Sequence, residues 1–260
     1  MEKGKSGKKR ILLKIGSNVL TKETPQISRG KIEDIAHQIA VLKSEYEFVI
    51  VSSGAIAVAK QFVDLETNGK AIKVKQALAS IGQPHLMRIY QEIFRESGLF
   101  TAQCLLSYSD FEKEQSKENI VNTINVLVEN NYIPIINEND TVATDEIKFG
   151  DNDKLAALTA VLLKADLFII ATNTNGIYTK ESFQKNKMQT ILSTTNVVSL
   201  KQEIAASVSI HGTGGMASKI DAAEIAQKAG IETWIVNGLN DNFIIEGIKK
   251  TIEFTKITVA

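Results

Sequence analysis

Lys14-Ile15-Gly16-Ser17 closes an apolar run that begins at Ile11, and two islands of the same kind, Ser52-Ser53-Gly54-Ala55 and Phe149-Gly150-Asp151-Asn152-Asp153-Lys154, follow farther along. A strand end that breaks into Gly, Ser and charge puts backbone N–H groups and short side chains at the lip of a sheet, where open α/β folds bind ligands. Repeated along one chain, such ends imply a parallel sheet with a phosphate-handling site at its carboxyl edge.

Outward from these islands, β-like and α-like segments alternate. The pattern predicts strands over 11–15, 48–51, 102–106, 133–136, 167–171 and 233–236. Ser28 caps a helix whose apolar stripe is Ile32, Ile35, Ala36, Ile39 and Leu42. Further helices are predicted over 55–62, 72–81, 116–129, 154–163 and 216–229, and Pro84, suited to a first helical turn, opens one more to about 96. Strands alternating with helices imply a mostly parallel sheet covered on both faces. The stretch 178–210 is polar with scattered apolar residues and reads as a small hairpin or a mobile flap.

A chain of 260 residues with 43% apolar content can bury one large core, and 30 basic residues balance 30 acidic ones. No overall field favours nucleic acid or an anionic membrane, so any anion site is local. No apolar stretch reaches the roughly 20 residues that span a bilayer, and the N-terminus lacks the apolar core of a signal peptide, so a cytoplasmic protein is expected. The single cysteine, Cys104, reads as a buried strand residue in a reducing compartment. Residues 1–9 are basic and Gly-rich with no periodicity and read as a mobile tail; the match of Gly4-Lys5-Ser6 to the end of a P-loop reads as accidental, because the required upstream glycine and strand cannot stand so close to the start.

His211-Gly212-Thr213-Gly214-Gly215-Met216-Ala217-Ser218-Lys219 admits competing readings. Gly212, Gly214 and Ala217 satisfy the relaxed dinucleotide fingerprint, but that fingerprint opens a βαβ unit and too little sheet follows it here. A Gly-rich turn entering a helix that carries Lys219 in its first turn fits a phosphate cradle, since N–H groups and an ammonium converge on one anion. A surface turn with a solvated lysine is the plain alternative.

Taken together, Lys14-Ile15-Gly16-Ser17 with Val19-Leu20-Thr21, Ser52-Ser53-Gly54-Ala55-Ile56-Ala57, Ile136-Asn137-Glu138-Asn139-Asp140, Phe149-Gly150-Asp151-Asn152-Asp153 and Gly212-Thr213-Gly214-Gly215-Met216 closely resemble the glutamate 5-kinases of the amino acid kinase family, in order, from about Arg10 onward. The resemblance implies a three-layer α/β/α sandwich around a mainly parallel sheet, one domain over 10–260. Its N-terminal lobe, about 10–165, would take the amino acid, and its C-terminal lobe, about 166–260, the nucleotide. It implies ATP-dependent phosphorylation of the γ-carboxylate of L-glutamate to γ-glutamyl phosphate, the first step of proline biosynthesis.

By the same resemblance Lys14 lies beside the transferring phosphoryl group, Lys219 reaches it from the nucleotide side, and Asp153 holds the two lysines apart and aimed. A carboxylate is ionised at neutral pH and is itself the nucleophile, so cations and positioning should suffice without a base. The plain readings are a snorkelling strand-end lysine for Lys14 and a helix N-cap for Asp153. Ser53, Gly54, Asp140 and Asn152 match the family's glutamate-binding positions; an α-ammonium calls for an anion such as Asp140. Nucleotide binding falls to Lys14, Gly16, Thr172, Asn173, Thr213, Gly214, Gly215, Met216, Ala217, Ser218 and Lys219. Mg2+ is expected on the nucleotide phosphates, with no protein ligands named.

Family members commonly carry Thr-Asp where this chain has Thr172-Asn173, and threonine where it has Ser218. Many also continue into a C-terminal PUA-type domain resembling RNA-modifying-enzyme modules, for which 260 residues leave no room. The resemblance further implies a homodimer or homotetramer, proline as feedback inhibitor and hand-off of the acyl phosphate to glutamyl phosphate reductase. A sister kinase on another carboxylate or phosphate acceptor, a non-catalytic nucleotide and amino acid sensor, and an NAD-binding oxidoreductase stay open as alternatives.

Overall fold

Arg10-Ile11-Leu12-Leu13-Lys14-Ile15 has no polar/apolar alternation, the mark of a strand buried on both faces. In the computed structural model, which describes residues 7–65, 72–142, 152–184, 188–205 and 214–259, this segment is β1 (Lys9–Ile15) at the middle of an eight-stranded sheet. β1 is flanked by β2 (Tyr46–Ser52) and β5 (Leu167–Thr172), both parallel to it. Beyond β2 lie β4 (Tyr132–Glu138) and, at the edge, β3 (Phe100–Leu106); beyond β5 come β7 (Glu232–Asn237), β8 (Thr255–Ile257) and β6 (Ser193–Thr194). Only the β7–β8 pairing is antiparallel among the described strands. The chain leaves β1 to one side for β2 and later returns to its other side as β5, so the carboxyl end of β1 is a topological switch point, where such sheets open a ligand crevice.

Side-chain alternation then assigns faces. Ile11, Leu13 and Ile15 point into one core with Ile50, Ile135 and Ile169, covered by α2 (Arg29–Leu42), α4 (Ile72–Glu96) and α10 (Phe243–Lys249). Leu12 points into the other, with Val51, Ile136 and Ile170, under α5 (Glu114–Glu129), α6 (Asp153–Leu162), α8 (Val197–Ala205) and α9 (Gly214–Lys228). Each fully buried aliphatic side chain contributes about 1.5–3 kcal/mol, which makes this three-layer packing the main source of stability. Period two also puts Lys14 on the Leu12 face, directly toward α6 and α9.

Three sequence expectations are corrected. The helices expected at 72–81 and from Pro84 onward are one 25-residue helix, α4, with Pro84 inside it. Its neighbour is α3 (Ala55–Ala59), packed so closely that a Cβ on Gly82 would stand 1.8 Å from the Ala55 carbonyl oxygen; burial of Leu78, Leu86, Met87 and Tyr90 overrides the local breakers. Cys104 is half-buried, not buried, because β3 is an edge strand, and burial still raises its thiol pKa. Asp153 is the first residue of α6, and Asn152 occupies the cap position.

Of the 178–210 stretch, 185–187 and 206–210 lie outside the described residues; the rest holds an isolated antiparallel bridge between Tyr178 and Thr190 on either side of α7 (Lys180–Gln184), then β6 and α8. The sequence reading also passed over α1 (Ser17–Thr21), α8, α10 and β8.

Candidate active site

Lys14 comes from the carboxyl end of β1, Asp153 from the first turn of α6, and Ser218 and Lys219 from the first turns of α9. Register and helix direction bring them together: Lys14 Nζ lies 2.5 Å from Asp153 Oδ1, and Lys219 Nζ 3.0 Å from Asp153 Oδ2. Ser218 Oγ donates to the same Oδ2 at 3.0 Å, and Lys219 Nζ also donates to the Gly215 carbonyl at 2.8 Å. Asp153 is fully buried, and both lysines are nearly so. Two ammoniums on one carboxylate leave the cluster with a net positive charge in a low-dielectric setting, suited to hold an anion.

Gly16 completes the lip of β1. A Cβ built there would stand 3.7 Å from Lys14 Nζ and 3.8 Å from the Ala171 carbonyl oxygen, space that glycine leaves open over the ammonium. Gly54 has φ +105°, a left-handed conformation that favours glycine, and it turns the chain from β2 into α3. Ser53 beside it is half-buried, and its N–H donates to the Ile15 carbonyl, tying the second island to the first.

Asn152, next to Asp153, is buried in a string of amides. Its Nδ2 donates to the Ser52 carbonyl at 2.8 Å and to Asn137 Oδ1 at 2.7 Å; Asn137 Nδ2 donates to Gln83 Oε1 at 2.8 Å. Ser52 Oγ in turn bonds the hydroxyl of fully buried Tyr90 at 2.9 Å, and burial raises the Tyr90 pKa. Asp140 follows β4 and is half-buried; desolvation pushes its carboxyl up to about 6.

On the other side of the crevice, Thr172 ends β5, and exposed Asn173 donates its Nδ2 hydrogen to Glu23 Oε1 at 2.7 Å. An aspartate at this position could not donate to Glu23. Gly215, Met216 and Ala217 run through the first turn of α9. Of the sequence-derived residues, Thr213 lies outside the described residues, as do Phe149, Gly150, Asp151, His211 and Gly212 of the quoted runs; Gly214 begins α9. The sequence reading missed Gln83, Tyr90 and Glu23, which carry no local signal, and passed over Asn137, although it quoted the run that contains it.

A family model described as the amino acid kinase family matches residues 9–237. The chain belongs to the amino acid kinase family. Similar members include the glutamate 5-kinase of Clostridium acetobutylicum, 40% identical over 91% of this chain and 90% of that protein, and that of Alkaliphilus metalliredigens, 38% identical over 95% and 94%. The glutamate 5-kinase of Vibrio vulnificus is 38% identical over 95% of this chain, which spans only 66% of that relative's length. Among solved structures of the family's fold, the carbamate kinase of Giardia lamblia bound to AMP-PNP superposes with a TM-score of 0.69 at 14% identity, covering 98% of this chain and 100% of that one. The UMP kinase of Ureaplasma parvum gives 0.65 at 17% identity, over 96% and 99%. The three-layer architecture with its mainly parallel sheet is therefore the family's own.

Proposed function

We propose that this protein transfers the γ-phosphoryl group of ATP to the γ-carboxylate of L-glutamate, forming γ-glutamyl phosphate and ADP, the first step of proline biosynthesis. The observation that carries the reading is the Lys14–Asp153–Lys219 cluster at the switch point of the sheet, one residue from the Asn152 amide network. An ionised carboxylate attacks phosphorus without surrendering a proton, so the site needs cations and orientation, and it offers both. Lys14 from β1 and Lys219 from α9 would meet the negative charge on the phosphoryl oxygens, and Asp153 would hold their spacing.

Ser53, Gly54, Asp140 and Asn152 would bind the amino acid, with Asp140 drawn to its α-ammonium. Gly16, Thr172, Asn173 and the turn from Thr213 to Lys219 would take the nucleotide. Asp153, already engaged by two ammoniums, fits a spacer and not a metal ligand. Magnesium would arrive on the ATP phosphates with water completing its shell and would neutralise part of their charge. The division into an amino acid lobe up to about residue 165 and a nucleotide lobe beyond it belongs to the same reading. So do a homodimer or homotetramer, a cytoplasmic setting, proline as inhibitor and delivery of the labile acyl phosphate to glutamyl phosphate reductase. Among the described residues no helix is long and apolar enough to cross a membrane.

Hydroxylamine converts an acyl phosphate into a coloured hydroxamate. With ATP and magnesium, hydroxamate from glutamate but not from aspartate or N-acetylglutamate is the expected result. Product from another acid alone would move the assignment to a sister kinase, and silence with all three would overturn it.

A further inference from the structure

The amide string behind Asn152 has a direction, and backbone groups set it at both ends. Ser52 contributes a carbonyl, which only accepts, so the Asn152 atom 2.8 Å away is the NH2. Asn137 Oδ1 receives the Glu138 backbone N–H at 2.9 Å, and an N–H only donates, so that atom is the oxygen. The second Asn152 hydrogen goes to the same Asn137 oxygen, which leaves the Asn137 NH2 toward Gln83 and makes the Gln83 atom at 2.8 Å its carbonyl oxygen. Gln83 Nε2 is buried and meets no acceptor among the described residues. Among the described residues the side chain of Gln83, only 8% exposed, thus hydrogen-bonds as an acceptor alone.

Both Asn152 hydrogens are consumed inside the protein. Its Oδ1, which takes no hydrogen bond among the described residues, is the atom left to meet a ligand. An amide carbonyl at a substrate site selects a donor. Glutamate carries one donor group, its α-ammonium; its two carboxylates are acceptors and would be repelled by that oxygen.

We propose that Gln83 is a positioning residue that acts through Asn137 to hold Asn152 with its carbonyl oxygen toward the substrate, so that Asn152 reads the α-ammonium of the amino acid. This rests on the glutamate kinase reading above. Without an acceptor at position 83 the buried Asn137 NH2 is left unpaired and the Glu138 N–H alone holds that amide, so the oxygen that fixes Asn152 is no longer held in place and the aim of the Asn152 carbonyl is lost. Helix α4 supports the floor twice, since Tyr90, two turns beyond Gln83, bonds Ser52, whose carbonyl is the other Asn152 partner.

The test compares glutamate with glutarate, the same dicarboxylate without the ammonium, in steady-state ADP release by the wild-type chain and its variants. Where glutarate turnover is too slow to follow, its constant as a competitive inhibitor replaces its KM. Gln83→Met removes the acceptor at similar volume. It should raise the glutamate KM at least tenfold and leave the ATP KM and the glutarate constant within twofold, so the preference for glutamate collapses. Gln83→Glu, which still offers an acceptor to Asn137, should keep most of that preference. Gln83→Ala supplies the same reading should the methionine variant fail to fold. A wild-type preference in the variants without an acceptor, or an equal loss on both acids, overturns the proposal. Absence of any glutamate-dependent ADP release from the wild-type chain is a different result, which overturns the reading of function itself.

Discussion

Lys14 Nζ stands 2.5 Å from Asp153 Oδ1 although β1 and α6 are separated by much of the chain, and the two side chains are only 3% and 0% exposed. A buried charge pair of this kind is costly to break from one side, because the surviving charge stays desolvated. Asp153→Asn leaves two ammoniums facing a neutral amide. It should lower stability by about 3 kcal/mol in denaturant unfolding, in line with other half-removed buried pairs. Lys14→Ala and Lys219→Ala should each lower turnover by about 10²–10³-fold with an unchanged far-UV spectrum, the scale of removing one electrostatic donor from a reacting centre. Wild-type turnover in either lysine variant would refute its role.

The raised Asp140 pKa sets a pH dependence. In the folded chain its carboxyl titrates near 6, above its ordinary 3.8, so between those values the folded state holds a proton that the unfolded state has lost. Stability from this group is therefore greatest at low pH and declines as pH rises from about 4 to 6. Binding runs the other way, since an α-ammonium needs the ionised form. The kcat/KM for glutamate should fall about tenfold per pH unit below about 6, a limb absent in Asp140→Asn, which shows a raised glutamate KM at every pH. A limb that persists in Asp140→Asn assigns it to another group.

Asn173 and Glu23 tie the loop after β5 to the loop after α1. Asn173→Asp puts two carboxylates at this distance. Because the pair is exposed, the effect is modest: a rise of about two- to fivefold in the ATP KM, relieved in the double variant with Glu23→Gln. An unchanged KM at low salt would show that the tether does not order the nucleotide side.

Gly82→Ala should destabilise, against helix propensity, which favours alanine by about 1 kcal/mol. The new methyl would meet the Ala55 carbonyl, backbone that cannot swing aside, so α3 and α4 must separate. A loss of at least ~2 kcal/mol is expected, seen as a lower Tm in a thermal scan. Unaltered or raised stability would mean that the helix pair yields without strain.

The alternation of apolar runs with amphipathic segments was legible because a strand buried on both faces and a helix buried on one have different periods, and both are local properties. Hence β1, β2, β4, β5 and β7 appear where the sequence puts them, and Ser28 caps α2 by accepting the Lys31 N–H. Local signals misled where packing was stronger than propensity: the sequence reads as one helix ending at 81 and another opening at Pro84, yet α4 runs through both against α3. β8 and α10 lacked a signal because they are short, and partners from β7 and α2 complete them.

By itself the sequence determined the α/β class and the strand ends rich in Gly, Ser and charge, since chain periodicity and residue chemistry are written locally; the candidacy of Lys14, Asp153 and Lys219 came through the family resemblance of the runs that hold them. Tertiary structure alone decided that both lysines converge on one carboxylate, that Asn152 spends both amide hydrogens on Ser52 and Asn137, and that Gln83 and Tyr90 stand behind those two partners. Those relationships depend on strand order, register and helix packing, through which a β-strand's period of two and an α-helix's first turn bring atoms from distant segments to within 3 Å.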